Sequence, residues 1–182
     1  AGSFVPSSST IILGGAGKNI SGNTTFNKVD ITGSYTHLSD IVYNSLLHIT
    51  STGSVTSGTG IFTTLHGDLI NNGVLNTSGT TTFSGNVLQT LSLINAVSTY
   101  ALTVNFNGSV SPVLNSTSAP QFGYLNINNT GGVNPSVGWT VAYRLSIGAG
   151  ASFNGGISTH YLMGDLVNNG TITSSGTINF NP

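Results

Sequence analysis

Gly67-Asp68-Leu69-Ile70-Asn71-Asn72-Gly73 is the stretch that decides the fold, because the chain writes it twice. It returns as Gly164-Asp165-Leu166-Val167-Asn168-Asn169-Gly170, at an offset of 164 − 67 = 97 residues. The flanks follow. Ser78-Gly79-Thr80-Thr81-Thr82-Phe83 reappears as Ser175-Gly176-Thr177-Ile178-Asn179-Phe180, and Phe26-Asn27-Lys28-Val29-Asp30-Ile31 parallels Phe122-Gly123-Tyr124-Leu125-Asn126-Ile127 at an offset of 122 − 26 = 96. The one-residue difference implies a small loop change, which a surface corner tolerates and a strand interior does not.

Working outward, helix signals are nearly missing. Glu is absent, Lys and Arg total three in 182 residues, and the i, i+3, i+4 apolar spacing hardly occurs. Short alternating runs take their place: Leu47 and Ile49 flank His48, which is expected to face outward, and Val55 sits between Gly53 and Gly58. Each run stops at Gly, Asn, Ser or Thr, residues that turn a chain and tolerate positive φ. The class is all-β.

The spacing of these runs selects the architecture. Ile49 to Leu69, Val55 to Leu75 and Ile127 to Ile147 are each 20 residues, and Ile147 to Leu166 is 19. A period near 20 nested in one of 97 predicts a parallel β-helix (β-solenoid) with roughly 20-residue coils. One coil alone cannot bury its apolar residues, whereas stacked coils align them into ladders. About nine coils at ~4.8 Å each would give a body about 43 Å long. The whole of residues 1–182 reads as one continuous solenoid segment. Residues 1–85 form a first long repeat, incomplete at its N-terminus, and 86–182 a second. Leu91, Leu93, Val97, Leu102, Val104 and Phe106 keep strand-like spacing, while the Ser/Thr/Pro-rich run from Ser109 to Pro120 is the expected lateral loop or irregular coil.

Charge excludes several classes of function. Only seven residues are charged: Asp30, Asp40, Asp68, Asp165, Lys18, Lys28 and Arg144, for a net charge of −1. Phosphate binding needs clustered Lys and Arg, so nucleic acid is not an expected partner. Disordered chains are poor in apolar residues and rich in net charge; here 37% of residues are hydrophobic. There is no Cys for disulfides or thiolate chemistry, and no apolar run approaches the ~20 residues of a membrane-spanning helix. Ala1 does not open a signal peptide, so the chain is expected to be a mature or excised segment. Neither Thr10-Ile11-Ile12-Leu13 nor Thr177-Ile178-Asn179-Phe180 looks like a polar solenoid cap, and both ends are expected to stack on further repeats or on a like molecule.

Phrases such as Gly67-Asp68-Leu69-Ile70-Asn71-Asn72-Gly73-Val74-Leu75, Thr80-Thr81-Thr82-Phe83-Ser84-Gly85-Asn86-Val87-Leu88-Gln89-Thr90-Leu91 and Phe122-Gly123-Tyr124-Leu125-Asn126-Ile127-Asn128-Asn129-Thr130-Gly131-Gly132 resemble repeats of very large Bacteroidetes surface proteins. Those proteins are adhesins, gliding-motility adhesins among them, exported by the type IX secretion system. The resemblance implies an extracellular, cell-surface stalk or filament segment that spaces or presents binding regions. It carries no catalytic residue over to this chain, and no C-terminal sorting domain is visible.

Each chemical candidate has a plain structural alternative. Asp68 and Asp165 occupy corresponding places in the two repeats, four or five coils apart, roughly 20 Å at one strand spacing per coil. A glycosidase carboxylate pair needs about 5–9.5 Å, so each is expected to be a turn Asp accepting backbone N–H groups. Isolated carboxylates also make poor Ca²⁺ sites. His37, His48, His66 and His160 show no metal-ligand spacing and are expected in solvent or turns. Asn71-Asn72, Asn128-Asn129 and Asn168-Asn169 are expected to turn the chain and stack as amide ladders. The candidate glycan contacts are Trp139, Tyr143 and Tyr161, with Tyr35, Tyr43, Tyr100 and Tyr124 behind them. In Gly138-Trp139-Thr140-Val141-Ala142-Tyr143, alternation puts Trp139, Val141 and Tyr143 on one face, and a core-facing side is the favoured assignment.

The expected function is therefore a structural and adhesive segment, not an enzyme, with no catalytic residue, metal or cofactor. Its expected partners are neighbouring repeats or like molecules, and surface glycans. An ice- or glycan-binding solenoid is the alternative, although Thr50 to Thr52, Thr80 to Thr82 and Thr171 to Thr173 do not recur in every coil. A polysaccharide-degrading β-helix ranks below both, since seven scattered charges make no acid–base cluster.

Overall fold

The computed structural model describes residues 7–84, 86–92 and 103–180. Every strand ladder among them is parallel, and the chain winds as a solenoid of about eight turns. Each coil has three walls. The first carries Thr10–Leu13, residues 28–31 and 46–49, Asp68–Asn71, Thr90–Ser92, Val113–Asn115, Ser152–Asn154 and Thr171–Thr173. The second carries Lys18–Ile20, Ser34–His37, Ser54–Ser57 and Val74–Thr77, then residues 121–122 and 140–141, Thr159–Leu162 and Thr177–Phe180. The third wall is paired without a break through eight levels: 24–26, 41–43, Phe62–Leu65, Thr80–Phe83, Thr103–Phe106, 124–127, 144–147 and Asp165–Asn168.

Alternation within these short strands builds the core. Ile31, Ile49, Leu69 and Leu91 are fully buried on the first wall, and Phe83, Phe106, Ile127 and Ile147 on the third. The coil length holds near 20, as in Val55↔Leu75 and Ile127↔Ile147. Two of the spacings shift. Leu47, not Ile49, stacks on Leu69, a coil of 69 − 47 = 22 residues, and Ile147 stacks on Asn168, one of 168 − 147 = 21. A slip of two keeps the same face inward, so the pattern cannot distinguish the alternatives.

The corner before each copy of the repeated motif needs glycine for close approach. A Cβ on Gly67 would fall on the carbonyl oxygen of Ser45 in the coil below, and one on Gly164 on that of Tyr143. Neither glycine has positive φ, so stacked backbone, rather than turn geometry, demands it. The expected lateral loop at Ser109–Pro120 is also corrected. Val113–Asn115 inside it pairs in register with Thr90–Ser92 and stays in the solenoid wall. Leu93, Val97, Tyr100 and Leu102 lie outside the described residues.

Candidate functional site

The exposed tyrosines gather where the second wall turns into the third in the second repeat. Residues 140–147 run continuously round that corner as one strand. Its register against Gln121–Ile127 shifts there: Phe122 faces Val141, but Tyr124 faces Arg144. The extra residue is a β-bulge, and it resets the alternation. Trp139 and Val141 therefore point inward at 2% and 3% exposure, whereas Tyr143 is 49% exposed and Arg144 follows it outward. The expectation that Trp139, Val141 and Tyr143 share a face is thus overturned for Tyr143. Sequence alternation had no means of showing the added residue. The same irregularity occurs in the first repeat, where Phe26 faces Tyr43 but Lys28 faces Leu46.

Trp139 belongs to the core. It stacks on Phe106 at 5.9 Å, meets Phe122 edge-on at 5.1 Å and contacts Phe153 at 5.9 Å. The cavity beside it is about 10 Å³, near the minimum for one water and far too small for a sugar ring, so Trp139 is corrected as a glycan contact. Outside, the Tyr143 and Tyr124 rings lie 5.2 Å apart, and the Arg144 guanidinium sits 5.7 Å from the Tyr124 centroid, within cation–π range. Tyr161 is exposed on the next coil of the second wall, beside Thr140. Asp165 is the cross-strand neighbour of Arg144. The patch thus offers Tyr124, Tyr143 and Tyr161 as rings, with Arg144 and Asp165 as polar partners. Sequence reasoning missed Arg144 and Asp165 as members because they are brought in by pairing across coils. Of the remaining tyrosines, Tyr43 is buried, and Tyr35 is half-buried with its hydroxyl donating to the Gly14 carbonyl.

Beside this patch, the third wall carries a bonded row of side chains. Asn126 Nδ2 donates to Asn105 Oδ1 at 2.8 Å, and Asn105 Nδ2 to Thr82 Oγ1 at 3.2 Å; at the corner, Asn128 Nδ2 donates to Asn107 Oδ1 at 3.1 Å. Amide ladders therefore exist, but the motif's own first asparagines serve differently. Asn71 and Asn168 accept the N–H of Gly73 and Gly170 through Oδ1, closing the turn, and Asn129 does the same for Gly131.

The histidines divide into two pairs. His66 is exposed, its Nδ1 3.1 Å from Ser84 Oγ, and half-buried His48 meets Asp30 at 3.1 Å. The other ring nitrogen of His48 faces the Asn72 amide at 3.4 Å, so this Asp–His pair presents no nucleophile. His37 and His160 overturn the solvent or turn expectation, being 1% and 4% exposed. Both end up on inward positions of second-wall strands. His160 has both nitrogens engaged: Nδ1 accepts from the Trp139 N–H at 3.1 Å, and Nε2 donates to the Gly155 carbonyl at 2.9 Å. His37 shares one hydrogen bond with the Tyr43 hydroxyl at 3.1 Å and leaves Nδ1 without a partner. Burial drives its pKa down to about 4 and pushes that of Tyr43 up.

Among the described residues no three His, Cys, Asp or Glu side chains converge on a metal-sized site, and no helix is long and apolar enough to cross a membrane. Asp68 accepts the Thr90 N–H at 2.7 Å, the role expected of a corner Asp. The three Thr-x-Thr ranks separate: Thr80 and Thr82 lie on the third wall, Thr171 and Thr173 on the first, and Thr50 and Thr52 at a corner. Comparison with known protein families, characterised proteins and solved structures finds no match to this chain. The class that fold and surface define is a neutral, three-walled parallel β-solenoid.

Proposed function

We propose that this chain is a non-enzymatic structural and adhesive segment, a stalk or filament piece of a large secreted surface protein. Its role is to space or present binding regions at the cell surface. One observation carries the proposal: the third wall runs parallel and unbroken through eight levels. Backbone hydrogen bonds along the axis, reinforced by the Thr82–Asn105–Asn126 row, would resist extension collectively. The repeat phrases that resemble type IX-exported Bacteroidetes adhesins, including gliding adhesins, point the same way. Neighbouring repeats or like molecules are the partners such a segment would stack on. Pulling single molecules along the axis is expected to give one high-force cooperative rupture; coil-by-coil yielding at low force would count against a load-bearing role. Turnover on a panel of polysaccharides would overturn the non-enzymatic assignment.

A second function is supported by the exposed rings. Tyr143 and Tyr161, with Tyr124 and Arg144, offer the aromatic faces and polar partners that surface glycans use. Retardation of the chain in polysaccharide-containing gels, lost in Tyr143→Ala and Tyr161→Ala, is the expected outcome; equal mobility with and without polysaccharide would remove this function. Ice binding is disfavoured because no one wall gathers the Thr-x-Thr ranks.

A further inference from the structure

The two copies of the repeated motif do not lie on the same side of the molecule. Asp68–Asn71 belongs to the first wall, where it pairs with 46–49 and with Thr90–Ser92. Asp165–Asn168 belongs to the third, where it pairs with 144–147. The displacement is systematic. Residues 28–31 sit on the first wall and their counterparts 124–127 on the third; Thr80–Phe83 sits on the third and its counterpart Thr177–Phe180 on the second; Val74–Thr77 sits on the second and its counterpart Thr171–Thr173 on the first.

The arithmetic gives the reason. From Asp68–Asn71 the chain advances two walls to Thr80–Phe83, then climbs four coils along the third wall to Asp165–Asn168. That is 4 × 3 + 2 = 14 walls for 97 residues, or 97/14 ≈ 6.9 residues per wall. The three walls make the same local demands: a close-packed corner, a short strand of alternating burial, and another corner. A segment written for one wall therefore fits another, and the interchangeable unit is the single wall rather than the coil.

We infer that the repeat in this chain is a module of four and two-thirds coils, so that successive copies are turned by one wall about the solenoid axis. Side chains at matching outward positions, such as Ile70 and Val167, face different directions. Contact through corresponding surfaces of the two copies is therefore radial. It suits a meshwork, or several separate partners around a filament, and not one planar lattice touched by both copies. This rests on strand register alone and stands or falls independently of the adhesive role.

The chain lacks Cys, so spin labels can be placed cleanly. The pair Thr82→Cys and Val167→Cys lies along one wall, four levels apart, and electron–electron distance measurement should give about 19 Å between the two backbones. The pair Ile70→Cys and Val167→Cys is separated axially by about 22 Å on the same rise, with the width of the solenoid added. It should read well beyond that figure, with labels pointing away from different walls. A distribution for Ile70/Val167 centred at the axial value, in protein whose circular dichroism matches the unlabelled chain, would place both motifs on one wall and overturn the inference. So would a Thr82/Val167 distance longer than the Ile70/Val167 one.

Discussion

Asp68-Leu69-Ile70-Asn71 and Asp165-Leu166-Val167-Asn168 are nearly the same text folded into the same strand shape, yet they experience different surroundings. Leu69 and Asn71 are 0% exposed, whereas Leu166 is 38% exposed and Asn168 lies open as well. Asp68 holds the Thr90 amide of the coil above. Asp165–Asn168, by contrast, pairs only with the coil below among the described residues. The difference teaches that in a solenoid a strand's own residues supply the inward face, but the neighbouring coil supplies the burial.

The strongest way to break this comparison is to truncate both leucines. Leu69→Ala is expected to cost about 3–4 kcal/mol of unfolding free energy, from lost burial and the cavity left behind. Leu166→Ala should cost less than about 1 kcal/mol, because much of its surface is already in water. Urea denaturation of the two variants checks this, and equal losses would show that the second motif is as well covered as the first.

A slightly smaller effect distinguishes the two buried histidines. The unfolded chain takes up a proton on His37 near pH 6.5, but the folded chain does so only near pH 4. Stability is therefore undiminished above about 6.5 and declines as pH falls, by about 3 kcal/mol when pH 4 is reached. His37→Gln should flatten that slope in thermal unfolding scans between pH 7 and 4. A slope unchanged by the substitution would mean that His37 is not the group responsible.

Gly67→Ala and Gly164→Ala test where the comparison should vanish. Both would press a Cβ onto the carbonyl of the coil below, which each corner possesses. Losses of about 2 kcal/mol are expected for both, seen as similar drops in denaturation midpoint. The smallest effect sharpens it again. Asp68→Ala strands the Thr90 N–H and should cost about 1 kcal/mol, while Asp165→Ala should fall within about 0.5 kcal/mol of the parent. Amide exchange at Thr90, faster in Asp68→Ala, would identify the lost bond directly.

Much of the architecture was legible in these residues. The alternation around Leu47 and Ile49, the spacing of Val55 from Leu75, and the Gly and Asn punctuation together call for a parallel solenoid. The surface patch was less so. Tyr143 and Tyr161 were visible as exposed candidates, but Trp139 stood beside them until its stacking on Phe106 placed it in the core. Two of the histidines were misplaced for a related reason. His37 and His160 look like polar surface residues by type, yet each takes an inward position in a second-wall strand.

What this sequence determined by itself is local: strands of about four residues, turns closed by Asn71 and Asn168, close corners at Gly67 and Gly164, and a coil near 20 residues. Those features need only neighbours along the chain, and alternation records them faithfully. What only the tertiary structure decided is cumulative or shared between coils. The wall on which a motif lands is the sum of every corner length before it, so one bulge residue between Val141 and Arg144 turns Tyr143 outward. Whether Leu69 or Leu166 is buried depends on the coil above, which the motif's own residues do not encode.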